Sequence, residues 1–158
     1  HGFAKLADEY HYSGNIPYNE RLKFSELFTH MWYSNVDFTS DPAQVKWAPF
    51  LADARYKDEV GLFEGGLTYM YGVWRPSENS IMNDNQGCFN APSRYTIWYR
   101  IHKLAYGSSW NGTFEDFAAY DAVNRNSTQA GSVGKSMVEM PRQKPSAPVI
   151  TGRTWRKM

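Results

Sequence analysis

The chain has a single cysteine, Cys88, so it cannot form an internal disulfide. This does not argue against export, since exported bacterial domains of this size can fold without bridges. No apolar run approaches the roughly 20 residues needed to cross a bilayer, so no membrane span is expected. The first residue is His1 rather than Met, which fits truncation or processing, so the lack of a signal-peptide pattern says nothing about location. Internal repeats and low-complexity tracts are also lacking. Net charge is scarce at +1, but it is unevenly spread. Residues 135–158 hold six Lys/Arg and one Glu, against eleven Lys/Arg and fifteen Asp/Glu in the remainder. This basic end reads as solvated or packed on the acidic body, and no nucleic-acid partner is expected.

Aromatic residues are abundant. Six Trp, eleven Tyr and nine Phe make up 16% of 158 residues, enough for thick packing between irregular segments or for an aromatic-lined groove. The length fits one domain, or a large piece of one, with a real core. We expect a domain portion over residues 1–125 and a basic, loop-rich tail over 126–158.

Local patterning predicts an α+β fold, mainly helices and long loops with a short two-stranded element. Phe3, Leu6, Ala7 and Tyr10 have helical spacing, residues 10–20 read as loop, and residues 21–32 as helix. Asp41 and Pro42 open a further helix that carries Val45, Trp47, Ala48, Phe50 and Leu51. Residues 60–74 read as two strands around Gly65-Gly66. Residues 79–87 form a polar loop containing Met82. Residues 92–106 give the clearest helix, stopped by Gly107. Thr113 and Asp116 open the next one. From residue 124 to residue 148 loose loop is expected, with Val149-Ile150 a candidate edge strand.

The opening His1-Gly2-Phe3-Ala4-Lys5-Leu6-Ala7-Asp8-Glu9-Tyr10 looks like the second half of a zincin helix, in which His-Glu-x-x-His supplies two metal ligands one turn apart. On a straight helix His1 and Asp8 would lie on nearly one face but about 10 Å apart along the axis. For the two to share a metal, the chain must leave the helix between them and fold back.

A wider series of motifs follows in order: Asn35-Val36-Asp37, Trp47, Phe63-Glu64-Gly65-Gly66, Trp74-Arg75-Pro76, Ser80-Ile81-Met82 and Phe89-Asn90-Ala91-Pro92-Ser93-Arg94. With the opening segment, this series resembles the IgA-peptidase family of metzincin-like zinc metalloendopeptidases over most of residues 1–125. The resemblance implies the C-terminal part of a metzincin-like catalytic domain and hydrolysis of a protein or peptide substrate. Zinc is the implied cofactor, polarising the scissile carbonyl and acidifying a water. His1 falls on the second histidine ligand, and Asp8 on the third ligand with Glu9 as the alternative. Ser80 and Met82 fall on the Met-turn. The first histidine and the general-base glutamate have no counterpart in this chain, so the catalytic base is expected before residue 1 and the chain alone is expected to be inactive. Export to the medium or cell envelope of a bacterium is likewise implied by the resemblance.

Other residues are weighed on their own chemistry. Arg94 can bind a substrate carboxylate or hold the Met-turn loop. Glu64, between apolar residues and two glycines, reads as a buried partner of a loop amide or an arginine. His11, His30 and His102 are further possible ligands. Cys88 lacks a neighbouring histidine that would activate it. Asn111-Gly112-Thr113 and Asn126-Ser127-Thr128 match the glycosylation sequon. Two alternatives to the peptidase stand: a non-catalytic binding or packing module, and a copper monooxygenase chelating its metal through the amino group and ring of His1.

Overall fold

The structure is a computed structural model that describes residues 2–84 and 87–130, with side chains as far as residue 125. The fold is α+β. A three-stranded mixed sheet and four α-helices stand among the described residues. Two compact units divide at residue 119, and the described part of the second is the end of one helix.

The sheet is built around its longest strand. β1 (His11–Asn15), β2 (Phe63–Gly66) and β3 (Thr68–Arg75) lie in the order β1-β3-β2. β2 and β3 form the expected antiparallel hairpin, with Leu67 between them. The two glycines adopt backbone that side chains rarely tolerate, at φ 109° and 159°. A Cβ on Gly65 would lie 2.8 Å from the His11 Cβ. β1 runs parallel to β3, where the sequence reads as loop.

Four helices complete the fold. They are α1 (Tyr18–Thr29), α2 (Ala48–Ala52), α3 (Ala91–Tyr106) and α4 (Phe114–Ala130). The Asn90 side chain caps α3, accepting from the Ser93 amide at 3.1 Å, and Gly107 ends the helix. Thr113 and Asp116 form a reciprocal box at the start of α4: the Thr113 amide donates to Oδ2 of Asp116, and the Asp116 amide to Oγ1 of Thr113. None of these helices is long and apolar enough to cross a membrane.

Three further sequence expectations are corrected. Residues 2–4 form a turn and residues 5–10 have no regular secondary structure, so the helical spacing at the start makes no helix. The helix expected after Pro42 is a series of turns as far as Trp47 and becomes helical only at Ala48–Ala52. The chain beyond residue 124, expected as loop, stays helical to Ala130. Val149-Ile150 and the rest of the basic tail lie outside the described residues.

The aromatic wealth goes largely into one core. Phe50 meets Tyr56 and Phe114 edge-on at centroid distances of 5.0 and 4.9 Å. Trp47, Trp98 and Phe117 join the same cluster. The buried Trp47 donates its indole N–H to the Gly61 carbonyl at 2.9 Å. Two smaller clusters flank it. Ala7, Val36, Leu67 and Val73 form one, and Ala4, Leu6 and Met82 form the other. Both place the N-terminal segment inside the molecule, and the candidate site follows from that placement.

Candidate functional site

The N-terminal segment is held in place because its backbone pairs with three distant parts of the chain. The chain turns at Lys5, whose φ is 55°, and the Lys5 carbonyl accepts from the Tyr33 amide at 2.7 Å. The Asn35 side chain then brackets Ala7, accepting from its amide at 2.8 Å and donating to its carbonyl at 2.9 Å. The carbonyls of Asp8 and Tyr10 accept from Leu67 and Thr68, and the Glu9 amide donates to Met82. Leu6, Ala7 and Glu9 are buried, whereas Asp8 and Tyr10 are half-buried.

Glu9 has no solvent exposure. Its Oε1 accepts from Asn35 Nδ2 at 2.8 Å and from Asn90 Nδ2 at 3.0 Å. Its Oε2 accepts from Ser80 Oγ at 2.5 Å. Burial pushes the Glu9 carboxyl up, while the bonds from Ser80, Asn35 and Asn90 and the charge of Arg75 pull it back. Arg75 is itself buried, donating to the carbonyls of Glu64, Gly65 and Glu78. Both Glu9 oxygens are thus engaged by buried side chains of the protein.

Ser80 and Met82 belong to a tight turn in which the amides of Asn83 and Asp84 donate to the Ser80 carbonyl. Ser80 Oγ accepts from the Met82 amide at 3.1 Å and passes its own proton toward Glu9. The Met82 side chain is 5% exposed and packs with Ala4 and Leu6, supported by Ile81, Phe89 and Ile97. Met82 thus forms an apolar floor to the N-terminal segment. Arg94 supports this floor from behind. It pairs with Glu59 through two bonds of 2.5 and 3.1 Å and donates to the Phe89 carbonyl at 2.7 Å.

Asp8 opens onto a cleft of about 540 Å³. Residues 5–8 form one wall, Phe24, Trp32 and Tyr33 a second, and residues 67–69 a third. The Lys5 ammonium lies over the Trp32 ring, 4.5 Å from its centroid. A half-exposed carboxylate beside a cleft is chemically a suitable zinc donor. His1 lies outside the described residues. Among the described residues, no three His, Cys, Asp or Glu side chains group as a metal set.

The remaining candidates lie elsewhere. His11 Nδ1 sits 3.3 Å from the Glu9 carbonyl oxygen, and the ring packs toward Gly65. His102 sits among Trp98, Trp110 and Tyr106. His30 and Cys88 are exposed. Glu64 is exposed and accepts from the Gly72 amide at 3.0 Å.

Lys46, unmarked by any sequence signal, holds the loop that carries Asn35. Its Nζ donates to the carbonyls of Tyr33 and Val36 at 3.0 and 2.7 Å and lies over the Phe28 ring. Burial brings its pKa down to about 7, against the upward pull of Asp37. Asn35 and Asn90 stand inside motifs that the sequence offered, but their shared role as donors to Glu9 has no local signature. No family model matches the chain, and no curated protein matches it.

Proposed function

We propose that the chain is the C-terminal part of the catalytic domain of a zinc-dependent endopeptidase. In this reading His1 and Asp8 are two of the zinc ligands, and Met82 is the floor beneath them. One observation carries the reading: three of the motifs behind the family resemblance, though scattered along the sequence, meet at Glu9. Asn35, Ser80 and Asn90 each donate to its carboxylate, and Met82 accepts from its amide. Spacing in sequence does not require that convergence, and a shared structural role does.

Each residue then has a defined task. The turn at Lys5 takes the chain out of helical geometry, which is what His1 and Asp8 need in order to reach one ion. Glu9, held from three sides, fixes the segment that carries Asp8. Met82 fills the space beneath Ala4 and Leu6 with a soft apolar group and keeps water from that side. Zinc, when bound, supplies a Lewis acid for peptide hydrolysis. The general base and the first histidine belong, by the resemblance, to sequence before His1.

The test is hydrolysis by a protein that begins upstream of His1, as its coding DNA reads. It is expected to cleave a casein or quenched-fluorescent peptide substrate, to stop on chelation and to recover with zinc. An upstream sequence without His-Glu-x-x before His1, or a protein that cleaves equally well with chelator, contradicts the reading.

A further inference from the structure

The loop that joins α3 to α4 carries Asn111-Gly112-Thr113, and both of its ends are fixed. At one end the Trp110 ring stacks on His102 at 4.9 Å and meets Trp98 edge-on at 5.2 Å. The Trp110 amide donates to the Gly107 carbonyl at 3.2 Å, and the Trp110 carbonyl accepts from Lys103. At the other end Thr113 is tied to Asp116 by their reciprocal box, and Phe114 sits against Phe50 and Tyr56. Only Asn111 and Gly112 lie between these anchors.

Gly112 cannot be exchanged for a larger residue. A Cβ there would run into the Trp110 ring and lie 2.8 Å from Cη2 of Trp98. The packing therefore requires glycine directly after Asn111, and Asn111 itself is exposed. Among the described residues neither the Asn111 side chain nor the Gly112 amide has a hydrogen-bond partner. An amide nitrogen with no Cβ beside it and no acceptor on its proton is the least hindered nucleophile that a backbone offers. The side-chain carbonyl carbon of Asn111 is an electrophile within reach of that nitrogen by closure of one small ring. Asparagine is among the residues most prone to such change.

The remaining asparagines are placed differently. Asn111 is the only one in the sequence that precedes glycine. Asn35 and Asn90 are buried with their side chains engaged. The amides that follow Asn15 and Asn83 are tied, Ile16 to the Tyr71 carbonyl at 3.2 Å and Asp84 to the Ser80 carbonyl at 2.7 Å.

We propose that Asn111 is a site of spontaneous modification, passing through a cyclic imide to aspartate and isoaspartate, and that the isoaspartate form releases the start of α4. The Gly112 nitrogen gives its proton to solvent and bonds to the side-chain carbonyl carbon of Asn111. The bond from that carbon to the side-chain nitrogen breaks, and ammonia leaves. Water then opens the imide. Opening at the side-chain carbonyl gives aspartate. Opening at the main-chain carbonyl gives isoaspartate, whose main chain runs through the former side chain. Water enters, ammonia departs and no electron is transferred. Both products carry a carboxylate where the amide was. Isoaspartate also adds a methylene to the main chain between Trp110 and Thr113. Trp110 is wedged among Trp98, Tyr99 and His102, whereas Thr113 and Asp116 are exposed. The Thr113–Asp116 box is therefore the anchor that gives. The reaction needs only water and no part of the peptidase reading.

The test ages the intact chain in mildly alkaline buffer. It follows ammonia release, peptide masses with fragmentation that separates isoaspartate from aspartate, and the proton–nitrogen spectrum. Conversion is expected first at Asn111, at a rate that rises with pH, and Asn111→Gln is expected to lose this first conversion. The aged chain should show shifted or lost amide signals at residues 113–116 while keeping its Trp110 indole signal. Freshly made Asn111→Asp carries the new charge on an unaltered main chain and should keep the parent signals at residues 113–116. Conversion first at another asparagine, or ammonia release unchanged in Asn111→Gln, would overturn the site. Signals at residues 113–116 that do not change on ageing, or that change equally in fresh Asn111→Asp, would overturn the release of α4.

Discussion

Ser80 donates its hydroxyl proton to Glu9 at 2.5 Å across 71 positions of sequence. Through that bond the turn bearing Met82 is locked to the segment bearing Asp8. Asn35 and Asn90 close the same junction from two other directions. A carboxylate with its acceptor sites filled in this way organises its surroundings, and its removal strands several buried donors at once.

Glu9→Ala is therefore expected to destabilise the fold by about 3 kcal/mol or more, since it leaves Asn35, Asn90 and Ser80 with buried donors unmatched. Ser80→Ala removes one donor and is expected to cost about 1–2 kcal/mol. Urea unfolding of the two variants checks the order. A Glu9→Ala midpoint equal to that of the parent chain would remove the junction from the account.

Met82→Ala is expected to cost about 3 kcal/mol through the cavity left beneath Ala4 and Leu6. Met82→Leu, which nearly conserves volume, should cost less than about 1.5 kcal/mol. Thermal melts that fail to separate the two variants would show that Met82 is not packed as described.

Gly87 lies against the Met82 turn. A Cβ there would sit 2.8 Å from the Ser80 carbonyl carbon and 2.9 Å from the Ile81 nitrogen. Backbone atoms cannot move aside as a side-chain tip can, so Gly87→Ala is expected to cost about 1–3 kcal/mol. The amide signals of residues 80–84 should shift with it, and an unchanged spectrum would count against the tight turn.

Lys46 gives a dependence on pH with a definite sign. Its pKa falls from 10.5 in the unfolded chain to about 7 in the fold. Between those values the unfolded chain binds the extra proton, so the Lys46 contribution to stability rises with pH and is lost as pH falls through about 7. The measurement is the unfolding free energy of the parent chain against Lys46→Met from pH 6 to pH 10. The parent's value should climb relative to the variant's over this range, whereas a constant difference would mean that Lys46 keeps its ordinary pKa.

The parts legible in the sequence were those set by local chemistry. Gly65-Gly66 between apolar runs marked the hairpin, Gly107 the end of α3, and Thr113 with Asp116 the start of α4. The opening segment was misleading because Phe3, Leu6, Ala7 and Tyr10 have helical spacing. Hydrogen bonds to Tyr33, Asn35, Leu67 and Met82 override that spacing, and each is far off in sequence. β1 was hidden because four of its five residues are exposed, so it lacks the alternation that reveals a half-buried strand. At the site, the type of residue was readable at Asp8, Glu9, Ser80 and Met82. That Glu9 and not Asp8 meets Asn35, Ser80 and Asn90 was not readable, since it depends on contacts with residues far off in sequence.

The most direct measurement is zinc affinity in the protein extended upstream of His1, comparing the parent with Asp8→Ala and Glu9→Gln. The account predicts one zinc per chain in the parent and at least about a hundredfold weaker binding in Asp8→Ala, where a ligand is gone. Glu9→Gln should lose stability yet bind zinc far more tightly than Asp8→Ala. A parent without zinc, or an Asp8→Ala protein that binds as tightly as the parent, would contradict it.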